Sequence, residues 1–134
     1  MHLAKKMNVV FLPPDFPSDL RVIFRSAKIT PTKNGQFVTF WKRSAEGPIA
    51  PYDVRDQFDL LVVNVNHALQ AGQFVFPKQV LLDQGVLSSS TQAGKRALRV
   101  YPPWDIPESK QAEKTQKWQL IYFFESKPVL DTGK

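Results

Sequence analysis

The 134-residue sequence contains no cysteine. No disulfide can hold the fold, no thiolate can act as a nucleophile, and a closed zinc site of the usual kind cannot be assembled. Imidazole is almost as scarce: His2 and His67 are the two histidines, far apart along the chain. Long apolar runs are also missing. The apolar stretch at 9–12 is halted by Pro13 and Pro14, too early for the core of a signal peptide, and no stretch approaches a membrane span. A cytoplasmic protein with no membrane partner is expected. Gly-x-Ser-x-Gly is absent, and His67 has no evident serine partner, so hydrolase triads find no support. Gly94-Lys95 is followed by Arg96 with no glycine five residues earlier, which excludes a Walker A loop. No signature of a resident metal or cofactor emerges, although carboxylates alone could still hold Mg²⁺.

Acidic residues are in deficit. Twelve Asp and Glu stand against 18 Lys and Arg, a net charge of +6. Such an imbalance favours polyanionic partners through counterion release, although many basic proteins carry it for solubility. Hydrophobic residues make up 43%, and 10 Phe, 3 Trp and 3 Tyr supply enough aromatic bulk for a small sheet core. The length fits one domain able to bury its own core.

Prolines 13, 14 and 17 mark residues 1–20 as a lead-in segment, and 127–134 reads as a tail, leaving a single domain over 21–126. Residues 20–27 read as a strand. Asn34-Gly35 is a strong turn signal before a second strand at 36–42. In that strand Phe37, Thr39 and Trp41 alternate with Val38, Phe40 and Lys42. The run at 59–66 reads as a buried strand and 73–76 as another. Pro77 begins a short helix over 78–84, stopped by Gly85, and 97–101 forms a further strand. Asp105 and Glu108 suggest a capping box for a helix over 107–123, with Thr115, Trp118, Ile121 and Tyr122 on one face. The expected fold is therefore α+β: a curved, mostly antiparallel sheet or open pseudobarrel with one short helix and a long C-terminal helix packed by Trp118 and Tyr122. Gly35-Gln36-Phe37-Val38 recurs as Gly72-Gln73-Phe74-Val75, too short a match to establish a repeat.

Basic and aromatic residues interleave. Lys28, Lys33, Lys42 and Arg43 flank the early strands, Lys95, Arg96 and Arg99 the later one, and Lys110, Lys114 and Lys117 form a helical stripe. Tyr101 and Trp104 sit among them on a stiff Pro102-Pro103 segment. Lys and Arg replace the counterions of phosphate, and exposed aromatics stack bases. A lysine stripe is more ordinarily a solvated face, and a Tyr-Pro-Pro-Trp segment can equally be a connector packing Trp104 on the core. Residues 88–96, rich in hydroxyls around Gly94, could cradle an anion or simply turn between strands. Glu108-Ser109-Lys110 and Glu125-Ser126-Lys127 match the Glu-x-Lys of restriction-type nucleases. Both fall in or beside the expected helix rather than on a strand, which weakens a Mg²⁺-dependent nuclease reading.

Taken in order, 27–38, Trp41-Lys42-Arg43, 72–78, Gly94-Lys95-Arg96, 99–105 and the helix residues from Ser109 to Gln119 resemble the MepB family of bacterial proteins, over about Val22 to Glu125. The resemblance implies a small cytoplasmic α+β protein with a fold similar to DNA-binding pseudobarrel domains, and it carries over no catalytic residue. The proline-rich start is shorter than the family's usual lead-in, so the N-terminal part of the fold is expected to be truncated or different. The expected function is non-enzymatic binding of nucleic acid or nucleotide phosphates. Lys33, Lys42, Arg43, Lys95, Arg96 and Arg99 would contact phosphate, Tyr101 and Trp104 would stack or shape the groove, and Lys110, Lys114 and Lys117 would attract at long range. An interaction module linked to a regulator or efflux system would instead show an exposed apolar patch. A nuclease would show carboxylates converging beside a lysine.

Overall fold

The computed structural model describes residues 19–126, so the expected lead-in up to residue 18 and the tail from 127 lie outside the described residues. Its strands form three open sheets. The largest has the order β1 (Val22–Ser26), β6 (Leu60–His67), β7 (Gln70–Pro77) and β9 (Phe123–Ser126). A second joins β2 (Lys28–Ile29), β3 (Gln36–Thr39) and β8 (Ala97–Val100), and a hairpin joins β4 (Trp41–Arg43) to β5 (Ile49–Pro51). The pairing is antiparallel except between β1 and β6, which run parallel with Val22 opposite Leu60.

Alternation decides which face each strand buries. On β3, Gln36 and Val38 are buried while Phe37 and Thr39 face out. Across the ladder Val38 lies opposite Leu98 and Gln36 opposite Val100, so β8 shares the same inward face. Leu61, Val63, Val65, Phe74 and Phe76 of the large sheet complete one core with Val38, Phe40 and Val100. The expected strand at 36–42 is interrupted at Phe40, whose N–H bonds the Arg96 carbonyl at 2.9 Å before the chain enters the hairpin. Phe40 stacks on Tyr52 with ring centroids 4.4 Å apart.

Two helices are described. Helix α1 (Lys78–Asp83) follows Pro77 and ends as the sequence suggests: Gly85 takes φ +77°, and the Val86 N–H closes on the Leu81 carbonyl at 2.8 Å. Helix α2 (Lys110–Leu120) corrects the expected long C-terminal helix, for it has 11 residues. It starts late because Ser109, not Asp105, is the cap: the Ser109 hydroxyl accepts the Ala112 N–H at 3.0 Å. Asp105 is held in a turn, its N–H donating to the Pro102 carbonyl at 3.0 Å. The helix ends early because the following aromatic run pairs with β7, Phe123 opposite Phe74. Tyr122 therefore packs on Phe76, 6.1 Å between centroids, from beyond the helix, and Ile121, expected on the packed face, is 72% exposed. Glu125 consequently lies on a strand rather than beside a helix.

Candidate nucleic-acid interface

Helix α2 lies along the free edge of β8. A strand edge exposes backbone N–H and C=O groups that need partners. Gln119, 1% exposed, supplies them: its Oε1 accepts the Tyr101 N–H at 2.9 Å, and its Nε2 donates to the Arg99 carbonyl at 3.0 Å. Gln116 fastens the next segment, its Nε2 donating to the carbonyls of Tyr101, Pro102 and Asp105 at 3.3, 3.0 and 2.9 Å. Two glutamine amides thus fix the helix beside the sheet.

Between α2 and the outward face of the small sheet runs a groove of about 960 Å³. Lys33, Lys95, Arg99, Lys114 and Lys117 line it, together with Phe37, Tyr101 and Trp118, and among the described residues lining it there is no carboxylate. Arg99 is held in place by three oxygens, its Nη1 donating to Thr30 Oγ1 at 3.1 Å and to the carbonyls of Asn34 and Gly35 at 3.2 and 3.3 Å. Its guanidinium stands 5.8 Å from the centre of the Phe37 ring. Register explains the placement: Lys28, Phe37 and Arg99 are opposite one another on three adjacent strands, so their side chains share one face. Gly35 lets the turn press against this site. It has φ +75°, and a Cβ there would come within 2.7 Å of the Tyr101 ring and 2.9 Å of Arg99 Cγ.

The other sequence-predicted residues lie elsewhere. Lys42, on the β4–β5 hairpin, is ion-paired to Asp56 at 2.7 Å. Arg43 rests over its neighbour Trp41, 5.6 Å from the ring centre. Arg96 and Lys110 are exposed but are not among the lining residues. Trp104 packs against the core, edge-on to Phe123 at 6.0 Å, with its indole N–H buried and without a hydrogen-bond partner. The stretch 88–96 orders itself: Ser88 Oγ accepts the Gly94 N–H at 2.8 Å, and the Lys95 N–H donates to the Val86 carbonyl at 2.9 Å. Those N–H groups are therefore not aimed at an anion, and Lys95 offers the groove its side chain.

Phe37 was not singled out as a site residue from the sequence; Lys28, named there among the basic residues, stands beside Phe37 in register but is not among the lining residues. The signal was present in the alternation, which puts a large aromatic at 37 on the same face as Thr39. Phe37 is 39% exposed.

Carboxylates show opposite perturbations. Burial raises the Asp105 carboxyl above its ordinary value, against the pull of His67 and of the Gly35 N–H. The hydrogen bond from the Arg55 side chain lowers Asp53. Among the described residues no group of three or more His, Asp or Glu side chains is placed to hold a metal ion. No described helix is long and apolar enough to cross a membrane.

Comparison with known proteins agrees with the residue pattern. No curated protein matches the chain. The crystal structure of MepB is similar, with a TM-score of 0.79 and 37% sequence identity over 84% of this chain and 75% of that one. The family model described as MepB-like matches residues 17–125, most of the sequence, and the chain belongs to that family.

Proposed function

We propose that this MepB-like protein is a binding protein for nucleic acid, or for the phosphates of nucleotides, and that the groove beside α2 is its site. The observation that carries this reading is the convergence of Lys33, Lys95, Arg99, Lys114 and Lys117 from three separate segments on one groove without a lining carboxylate. Phosphate oxygens are the ligands such a cluster complements, and association gains from the counterions released. Arg99, pre-positioned by its three oxygen partners, is the most directed of the five. Tyr101 shapes the groove at the turn. Arg96 and Lys110, outside it, add long-range attraction, whereas Lys42 and Arg43 serve the hairpin, and Trp104 supports the core beneath the connector.

Salt titration tests the proposal. About four phosphate contacts predict that affinity for a labelled oligonucleotide falls roughly a hundredfold between about 50 and 200 mM salt. Lys114→Ala with Lys117→Ala should lower the slope of log affinity against log salt by about two. Binding that ignores salt, or a slope unchanged in that double variant, would refute the assignment.

A further inference from the structure

We infer that the groove takes a single strand, with an unpaired base stacked on Phe37, in preference to a duplex; this rests on the nucleic-acid reading above. Three features of the small sheet carry it. The first is the row Lys28, Phe37, Arg99: an aromatic ring on the open face of a strand, with a cation on either side. An unpaired base offers its flat face to a ring, and the phosphates on either side of it meet the flanking cations. A duplex keeps its bases stacked on each other, and opening one costs a few kcal/mol.

The second feature is room. The neighbouring row on the same face pairs Thr39 with Ala97, both small, so bulk is lacking beside the ring where an adjoining sugar or base would lie. The third is size. The groove's volume of about 960 Å³ is at the upper end of the roughly 300–1,000 Å³ of clefts that swallow a drug-sized molecule. That suits a few nucleotides of one strand. Lys114 and Lys117 reach the groove from α2, Lys95 from the loop before β8 and Lys33 from the turn before β3, so a narrow strand can touch them together. The chemistry is common to DNA and RNA, because stacking on a ring and contact with phosphate use no 2′-hydroxyl.

The test uses the full chain and three fluorescent probes of equal length: an oligothymidine, an oligouridine and a mixed-sequence duplex, followed by anisotropy at two salt concentrations. The single strands should bind at least about tenfold more tightly than the duplex at the same salt. Phe37→Ala should weaken single-strand binding roughly 5- to 150-fold, the range for loss of one stacked base, with little change for the duplex. Phe37→Tyr, which keeps the ring and the fold, should bind within about twofold of the parent. A duplex bound as tightly as the single strands overturns the inference and leaves the nucleic-acid reading intact. So does unchanged single-strand affinity in a folded Phe37→Ala protein, or a large loss in Phe37→Tyr. Failure of all three probes to bind overturns both.

Discussion

Replacing Gln119 tests how α2 is fastened to the sheet, and the structure sets the size of the effect. Gln119→Leu keeps nearly the same volume and removes two hydrogen bonds, to the Tyr101 N–H at 2.9 Å and the Arg99 carbonyl at 3.0 Å. Each bond contributes a net of about 1 kcal/mol, and a buried partner left unsatisfied costs roughly 1–3 kcal/mol. The better packing of leucine offsets part of this. A loss of about 2–4 kcal/mol is expected, and the melting temperature should fall by roughly 10 °C for a domain of this size. Gln116→Leu is the comparison. Its amide donates only to carbonyls, and carbonyls tolerate a missing partner better than N–H groups do, so its cost should be nearer 1 kcal/mol. Gln119→Glu separates packing from bonding: the carboxylate still accepts from Tyr101, faces the Arg99 carbonyl without a proton to donate, and buries a charge. It should be the least stable of the three at neutral pH. Urea unfolding followed by tryptophan fluorescence gives the order by linear extrapolation. If Gln119→Leu costs under about 1 kcal/mol, or less than Gln116→Leu, the amide is not the fastening.

Three other perturbations have defined outcomes. Gly35→Ala places a methyl group against Tyr101 at a positive φ and should cost about 2–4 kcal/mol in thermal or urea unfolding; a smaller loss than about 1 kcal/mol would mean that the ring moves aside freely. Trp104→Phe removes a buried N–H that lacks a partner, a relief of about 1–3 kcal/mol set against lost packing, so stability should stay within about 1 kcal/mol of the parent. A loss above about 3 kcal/mol would show that the indole N–H is bonded in solution. Asp105 has a folded-state carboxyl raised by burial, so the folded protein binds more protons than the unfolded chain between the ordinary carboxylate value and the raised one. Stability contributed at this position therefore rises as pH falls through that window. Asp105→Asn should be at least as stable as the parent at neutral pH and lose that advantage in acid; melting curves of the two that stay parallel at all pH values would contradict it.

Local chemistry made several elements legible before any coordinates. Asn34-Gly35 needs the positive φ that Gly35 has, and Gly85 closes α1 for the same reason. The alternation put Phe37 and Thr39 on one face and Val38 and Phe40 on the other, but did not say which face is inward; the folded chain buries the second, with Val38 at 1% and Phe40 at 0% exposure. The end of α2 was not legible because it is decided at a distance. Tyr122 and Phe123 suit either a helix face or a strand, and β7 decides it by pairing residues 71 to 74 with 123 to 126. Its start was misplaced because the sequence pattern puts the cap at Asp105, and only the folded chain shows that Asp105 is held by the turn from Pro102 while Ser109 caps the helix. The recurring Gly-Gln-Phe-Val makes the same point. Both phenylalanines stand on strands paired on either side, yet Phe74 is fully buried and Phe37 lies on an open face.

The groove depends on the same distant decisions. Counting lysines along the chain could not show that Asp56 claims Lys42, or that Arg99 would stand opposite Phe37. That opposition follows from the core: Val38 with Leu98 and Gln36 with Val100 set the register on the inward face, and a slip of one residue would turn Arg99 inward and Val100 out. The helix wall depends on Gln119 in turn, since its amide ties α2 to β8 and so brings Lys114 and Lys117 to the groove that Arg99 lines. Stability and binding should therefore separate at surface lysines and fail together at Gln119. Lys114→Ala should weaken oligonucleotide binding in a protein that melts normally. Gln119→Leu, studied where it is still folded, should lose affinity although it removes no charge and the amide it removes is engaged with the Tyr101 N–H and the Arg99 carbonyl. Undiminished affinity there would mean that the lysines find the ligand without the helix being held in place.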